Sequence, residues 1–522
     1  MADKCYINKL QDMEMKKLPI ELRKMMTDLV DVQKNVLLDI LHNSEETEIG
    51  KRYNFKNIHS VEEYRKSVPI TEYDDYRDDV ERMKDGEENI LFPGKAASFV
   101  VTSGTTGISK YIPESNQGAI IKSLVGKFRT VEMLSMVPQI LQPEYNILVL
   151  TNASVYGKTQ GGIPAGSASG QAAESGLMME KMTLPLLLLT AKGLSNDANE
   201  YLTILFAVAD KNIAALICNN LVQFHRLMNL LNTEAKSILN DLENKTISVN
   251  MPDDLKDEFV KILKERVTDE RVEELKAIYN EKGEFNVKNL WHKFMAVSCW
   301  LSGSVGRSVK EFKSHFPQET LFIEWGYGAS EGKFNIPVNP GKSDGFLAIF
   351  GLFFEFLPLG GKETVLLQNT EPEQMYELII TNYSGFYRYN IHDIVKVKRD
   401  ANGFPLLTFL CKSKDYIEIS GNKFYACNLM DIVEEYEEEK NVFFALIQGR
   451  NNDGKLELLV EMKDDNLDIE DFKKYMTNKL NEINIELSDI VLKDRGYRDS
   501  LFTKVLDSGK SVVSTKLPVF ID

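Results

Sequence analysis

Apolar residues recur every three to four positions between residues 20 and 47: Leu22, Met25, Met26, Leu29, Val30, Val32, Leu37, Leu38, Ile40 and Leu41. That spacing predicts one long amphipathic helix lying on a core. Residues 60–92 predict short helices closed by Pro69 and Pro93. The apolar run 96–101 predicts a short strand that opens straight into a Ser/Thr/Gly loop, and residues 145–151 predict a buried strand. Residues 157–176 are rich in Gly, Ala and Ser, which suits an ordered loop better than a core helix. Helical periodicity covers 198–245 and 253–281. Strands are expected at 295–301, 320–325, 345–357, 364–367, 376–382 and 394–397, with a turn at 399–403. Strands interleaved with helices predict an α/β body.

Beyond about residue 411 the pattern tightens. A strand, a helix over 429–438, strands over 442–448 and 456–462, a helix over 469–483 and a coil-like tail make a small α+β domain of about one hundred residues. The expected division is a large multi-layer domain at 1–410 and a small one at 411–522, with a hinge near residues 411–415. The acidic run Glu434-Glu435-Tyr436-Glu437-Glu438-Glu439 predicts a solvated helix face.

Composition narrows the function classes. The chain has 522 residues, 43% of them hydrophobic, enough for two or three domains. A net charge of −16 argues against nucleic-acid binding as its main task, which needs a basic stripe. It leaves room for ATP, whose phosphates need only a local pocket of cations and N–H groups. The five cysteines and six histidines are scattered without metal-ligand or disulfide spacing. The start carries no basic head before an apolar stretch, so no signal peptide is expected. The longest apolar run, 184–189, is too short for a bilayer. A cytoplasmic protein is expected, with no membrane or nucleic-acid partner.

Three segments carry candidate chemistry. Thr102-Ser103-Gly104-Thr105-Thr106-Gly107 combines glycines with hydroxyl side chains. A nest of backbone N–H groups there binds phosphate oxygens, a nearby helix start would add its dipole, and Lys110 would add a cation. The Walker spacing is absent, and a simple Ser/Thr-rich turn is the alternative. Tyr327-Gly328-Ala329-Ser330-Glu331-Gly332 follows a strand and offers a ring for adenine, a hydroxyl for phosphate, and a carboxylate for Mg²⁺, a hard cation that prefers oxygen. Its third glycine is misplaced for a dinucleotide fingerprint. Tyr387-Arg388-Tyr389-Asn390-Ile391-His392-Asp393 offers a cation for phosphate and a carboxylate for ribose, with a structural Arg–Asp pair as the alternative. His392 reads either as a base for an incoming amine or as a supporting residue.

In their order and spacing these segments resemble the auxin-responsive promoter family, the acyl acid amido synthetases of the adenylate-forming superfamily. The resemblance starts at Gln33, Leu37, Ile40, Leu41, Asn43 and Thr47. It continues through Val68-Pro69, Tyr76, the Ser-Gly-Thr loop and Lys110-Tyr111-Ile112-Pro113. Ser302-Gly303-Ser304 is similar to the family's Thr-Gly-Ser segment beside the nucleotide. Residues 327–331, Tyr387-Arg388 and Asp393 fall on its next two motifs. Phe409-Leu410-Cys411-Lys412 is similar to its hinge, and Thr515-Lys516-Leu517-Pro518 to its C-terminal Lys-x-Pro.

The resemblance implies an N-terminal domain that binds ATP and an acid, and a mobile C-terminal lid. A small-molecule carboxylic acid attacks the α-phosphate and expels pyrophosphate; the acyl-adenylate then passes its acyl group to an amine such as an amino acid. By resemblance, Thr102, Ser103, Gly104, Thr105 and Thr106 cradle phosphates, with Gly303 and Ser304 beside the nucleotide. Tyr327 contacts adenine within a turn completed by Gly328, Ala329 and Ser330. Arg388, Asp393 and Lys412 complete the ATP site, Asp393 on ribose. Glu331 holds Mg²⁺, and Lys516 reaches from the lid to offset the charge of two meeting anions. Three positions depart from the family: Lys412 stands for an arginine and cannot pair bidentately, His392 for a glycine, and Val519 for an arginine. Two other readings stay open. One keeps adenylation but uses coenzyme A or another thiol as acceptor. The other is a nucleotide-binding protein without catalysis.

Overall fold

The structure, a computed structural model, describes residues 6–102, 110–151, 157–167, 180–191, 193–463, 467–507 and 517–521. The expected single helix over 20–47 is two helices, Leu18–Thr27 and Leu29–Ser44, broken at Asp28 where φ is −107° and ψ 26°. The break lets Leu22, Met25 and Met26 on the first and Val32, Leu37 and Ile40 on the second reach one core, while Val30 stays exposed.

Four parallel strands form one sheet in the order Asn146–Leu150, Ile213–Cys218, Ala296–Cys299, Leu321–Glu324. Ile213–Cys218 corrects the helical expectation for 198–245. Its six residues are all buried, and a continuous apolar run carries no period to separate helix from strand. The helix Asn196–Ala209 ends just before it, and Leu221–Thr233 and Ala235–Asn244 follow.

A seven-stranded antiparallel sheet stands beside it, in the order Asn335–Pro337, Gly345–Leu347, Pro405–Lys412, Tyr389–Arg399, Met375–Thr381, Phe353–Pro358, Val365–Leu366. One large core joins the N-terminal helices to this sheet, and another surrounds the parallel sheet. A smaller sheet pairs Ser98–Thr102 with Lys110–Glu114.

The last part of the chain has its own core, drawn from Ile417, Phe424, Val433, Leu458, Phe472 and their neighbours. The tail expected as coil instead supplies the strand Leu487–Lys493, parallel to Lys455–Met462, and the helix Tyr497–Asp507. Residues 413–415 connect the two parts. Ser413 N–H donates to His392 O at 2.8 Å and Ala426 N–H to Asp415 O at 2.8 Å. The free thiols of Cys411 and Cys427 meet across this joint, 3.0 Å apart.

The acidic run is a solvated face in part: Glu435, Glu438 and Glu439 are exposed, while Glu437 is buried. Glu437 pairs with Arg307 at 2.7 and 3.1 Å, and Glu434 and Glu438 with Lys310 at 3.0 and 3.2 Å. Arg307 and Lys310 lie on the helix Gly303–Phe312, so the run clamps the C-terminal part to the helix that follows Ser302. Charge composition shows that partners are needed but not where they lie. Among the described residues no helix is long and apolar enough to cross a membrane.

Candidate active site

Three turns meet where the parallel sheet, the antiparallel sheet and the C-terminal part come together. Leu321–Glu324 ends in Gly326, whose φ of +104° and close approach to Arg129 exclude a side chain: a Cβ there would lie 2.3 Å from the guanidinium. Arg129, on the helix Asn116–Met136, donates to Tyr327 O at 2.7 Å and Asn335 O at 2.9 Å. Glu324 accepts from Gly326 N–H and Leu301 N–H, both at 2.8 Å, and so ties this turn to the Ser302-Gly303 segment. Burial pushes the Glu324 carboxyl up to about 7 and the Arg129 guanidinium down to about 10. The sequence reading passed over both residues. The available signals were a glutamate at the end of the apolar strand Leu321–Glu324 and an arginine among apolar helical positions.

Gly303 opens its helix at φ +62°, and a Cβ there would lie 2.9 Å from Phe409. Phe409 stacks on Tyr327 with centroids 5.2 Å apart, and Phe334 packs beside that ring at 4.9 Å. Tyr327 OH donates to Asp393 Oδ2 at 2.6 Å. Lys412 forms an ion pair with Asp393 Oδ1. Burial works against the Lys412 charge, but the attraction of Asp393 outweighs it and holds the amine above its ordinary pKa. Asp393 and Lys412 are register partners on neighbouring strands at the last step before the joint.

Gly328–Ala329 and Gly332–Lys333 form a two-stranded hairpin that presents Ser330 and Glu331. Tyr389 OH donates to Glu331 Oε1 at 3.2 Å, and Lys122 Nζ to Ser330 O at 2.7 Å. Lys110 lies close enough to Glu331 for its charge to be felt, and its own pKa is lowered by burial. Glu331 suits Mg²⁺ by donor type. Among the described residues no cluster of three or more His, Cys, Asp or Glu could hold a metal, and one carboxylate plus substrate phosphates is a usual way to bind Mg²⁺.

Of the expected phosphate loop, Thr102 and Lys110 are described and are cross-strand partners. Ser103, Gly104, Thr105 and Thr106 lie outside the described residues, as do Lys516 and the side chain of Ser304. The strands on either side of the loop, Ser98–Thr102 and Lys110–Glu114, are antiparallel. The next helix begins at Asn116, capped by Ser115.

Two expectations are corrected. Arg388 does not face a phosphate. Its Nε and Nη2 pair with buried Glu355 at 3.0 and 3.1 Å, Nη1 donates to Arg65 O and Val68 O, and Nη2 also donates to Thr364 Oγ1. All its donors face inward because a positive φ of 51° turns the backbone there. Tyr327 does not offer its ring to adenine: Phe409 covers one face and the residue is 6% exposed. His392 sits 3.4 Å from Glu72 and 3.4 Å from Ser413, and burial lowers its pKa, which suits a supporting place at the joint.

Paired α/β and antiparallel sheets, a jointed C-terminal part and these turns at their meeting point are the frame of a chain whose relatives make it an acyl-adenylate-forming ligase. Residues 20–321 match the GH3 family N-terminal domain and residues 345–412 the GH3 family central domain. The chain belongs to the GH3 family, the acyl acid amido synthetases. A jasmonoyl–L-amino acid synthetase, JAR6 of Nicotiana attenuata, is 23% identical over 77% of this chain and 72% of its own length. The 4-substituted benzoates–glutamate ligase GH3.12 of Arabidopsis thaliana is 20% identical over 87% and 77%. In structure, the chain is similar to AtGH3.15 acyl acid amido synthetase in complex with 2,4-DB. That match has a TM-score of 0.82 at 18% identity and covers 100% of this chain and 96% of the other. It is also similar to a 2-hydroxyisobutyryl-CoA ligase in the postadenylation state, with a TM-score of 0.54, 10% identity, and coverage of 94% and 88%.

Proposed function

We propose that the protein activates a small carboxylic acid with ATP and Mg²⁺ and transfers the acyl group to the amine of an amino acid. The carrying observation is the convergence of Glu331, Asp393 and Lys412 at the joint, beside Gly303 and the strand ends flanking the phosphate loop. A carboxylate oxygen of the substrate forms a bond to the α-phosphorus, and the bond to the β-bridging oxygen breaks, releasing pyrophosphate. The amine nitrogen then attacks the acyl carbon; AMP leaves with the bonding electrons and the nitrogen loses a proton.

In this reading Asp393, oriented by Tyr327 OH, accepts the ribose hydroxyls, and Lys412 balances its charge until the nucleotide arrives. Glu331, steadied by Tyr389, would hold Mg²⁺, which neutralises phosphate charge. The loop 103–106 and Lys516 belong to the proposal through resemblance. Names of the relatives that conjugate acids to amino acids support the amine acceptor. The test is ATP–pyrophosphate exchange with Mg²⁺ over a panel of acids. Exchange with one acid class, lost in Glu331→Ala and weakened by a raised KM for ATP in Asp393→Asn, supports the reading. No exchange while ATP still binds, or acyl-thioester formation with coenzyme A and no amide with any amino acid, refutes it.

A further inference from the structure

Two of the described free thiols, Cys218 and Cys299, lie inside the parallel sheet, on Ile213–Cys218 and Ala296–Cys299. The other two face each other across the joint. Cys411 is the penultimate residue of Pro405–Lys412 in the antiparallel sheet, and Cys427 is the second residue of the helix Ala426–Lys440 in the C-terminal part. They are 16 positions apart in the chain, and their sulfurs are 3.0 Å apart.

The pair is held from both sides. Cys411 is the register partner of Ile394, and Ala426 N–H ties the start of the helix to Asp415 O at 2.8 Å. Ile394, Cys411, Ala426 and Cys427 form one small buried cluster, with Val519 and Phe520 packed on it. A disulfide needs about 2.05 Å, so the sulfurs have about 1 Å to close. Cys411 and Cys427 are 7% and 5% exposed. The neighbouring Cys427 thiol and burial hold the Cys411 thiol above its ordinary range, and a protonated, buried thiol is slow to react. The joint supplies the access. The two parts have separate cores, and ion pairs such as Arg307–Glu437, Lys310–Glu434 and Arg498–Glu311 join them. Contacts of this kind open at lower cost than either core unfolds.

We propose that Cys411 and Cys427 are a redox modification site: a hydroperoxide oxidises the pair when the joint opens, and the disulfide formed on reclosing holds the C-terminal part in its docked place. One thiolate attacks a peroxide oxygen. An S–O bond forms, the O–O bond breaks, and the leaving oxygen takes a proton as water or alcohol. The second thiol loses its proton and attacks the sulfenic sulfur; the S–S bond forms and hydroxide leaves, protonated to water. Two electrons pass from the thiols to the peroxide, and a dithiol reductant reverses the change. For catalysis the inference rests on the adenylation reading above. Cys411 adjoins Lys412, which releases Asp393 to the arriving ribose in that reading, and the bridge fixes this strand end.

The test exposes the reduced full chain to hydrogen peroxide and digests it without reductant, for wild type, C411S, C427S and R307M. Mass spectrometry should show the Cys411 and Cys427 peptides linked, with two hydrogens lost, in wild type and in neither serine variant. Linkage should form faster in R307M, whose joint is weakened, and Cys218 and Cys299 should stay reduced. In oxidised wild type, amide hydrogen exchange in Gly303–Phe312 and Ala426–Lys440 should slow by about tenfold, and ATP–pyrophosphate exchange should fall by about tenfold. Dithiothreitol should restore both, and C427S should show neither. No linked peptide, linkage no faster in R307M, or linkage that leaves hydrogen exchange or pyrophosphate exchange unchanged overturns the inference and leaves adenylation standing. A reversible bridge that slows hydrogen exchange, in a protein that even when reduced supports pyrophosphate exchange with no acid, overturns the adenylation reading and leaves the redox site standing.

Discussion

Arg307→Met removes the cation at the centre of the contact between the C-terminal part and the helix Gly303–Phe312. The Arg307 and Glu437 side chains are 12% and 3% exposed, and Arg307 also donates to Phe444 O at 3.0 Å. After the change Glu437 keeps one backbone donor, Phe444 N–H at 3.0 Å, and no charge partner. Leaving one member of a buried pair alone costs about 3–5 kcal/mol. Lys310 makes exposed pairs with Glu434 and Glu438, which contribute about 0–1 kcal/mol each, so they cannot compensate. The C-terminal core is separate, so the cost should appear as undocking rather than unfolding. Native-state hydrogen exchange should show lower opening free energies for Gly303–Phe312 and Ala426–Lys440, with the interior of the C-terminal core unchanged. Glu437→Gln completes a double-mutant cycle, and a coupling of about 2 kcal/mol or more is expected. Additivity within about 0.5 kcal/mol would mean the pair does not hold the joint, and the reasoning would be wrong.

Arg388→Met should destabilise the N-terminal part by about 3 kcal/mol by leaving Glu355 with Arg65 alone as cation; thermal unfolding should show it, with KM for ATP unchanged below the melting range. Gly303→Ala forces a Cβ into Phe409 and a side chain into left-handed backbone, costing about 1–2 kcal/mol; the checks are a lower Tm and a higher KM for ATP. Lys333 is lowered from 10.5 to about 7, so its contribution to stability is complete above 10.5 and is lost as pH falls through 7; K333M should flatten the rise in Tm between pH 7 and 10. Glu324 is raised from 4.5 to about 7, so its contribution is complete below 4.5 and lost as pH rises through 7; Glu324→Gln should remove that slope between pH 5 and 7.

Much of the architecture was legible in the order of residues because burial repeats with backbone geometry. Period-four apolar positions marked the helices Leu29–Ser44 and Ile469–Glu482, and apolar runs marked the strands Asn146–Leu150 and Leu321–Glu324, the second ending in a glycine turn. Ile213–Cys218 was misread because a strand buried on both faces has no alternation to detect. The three motif segments were visible as clusters of Gly, hydroxyl and carboxylate residues. What each side chain does there was not, because charge partners come from distant segments: Arg388 finds Glu355, Asp393 finds Tyr327 and Lys412, and Glu437 finds Arg307.

The sequence alone therefore determined an α/β body, a small C-terminal unit and the three segments that are candidates for chemistry, since these depend on local period and composition. Only the tertiary structure decided which carboxylates and cations are spent on holding the fold. Arg388 and Lys333 carry like charge in neighbouring motifs. One has all its donors satisfied and the other has no partner among the described residues, because electrostatic pairing depends on distances in space that sequence separation does not encode.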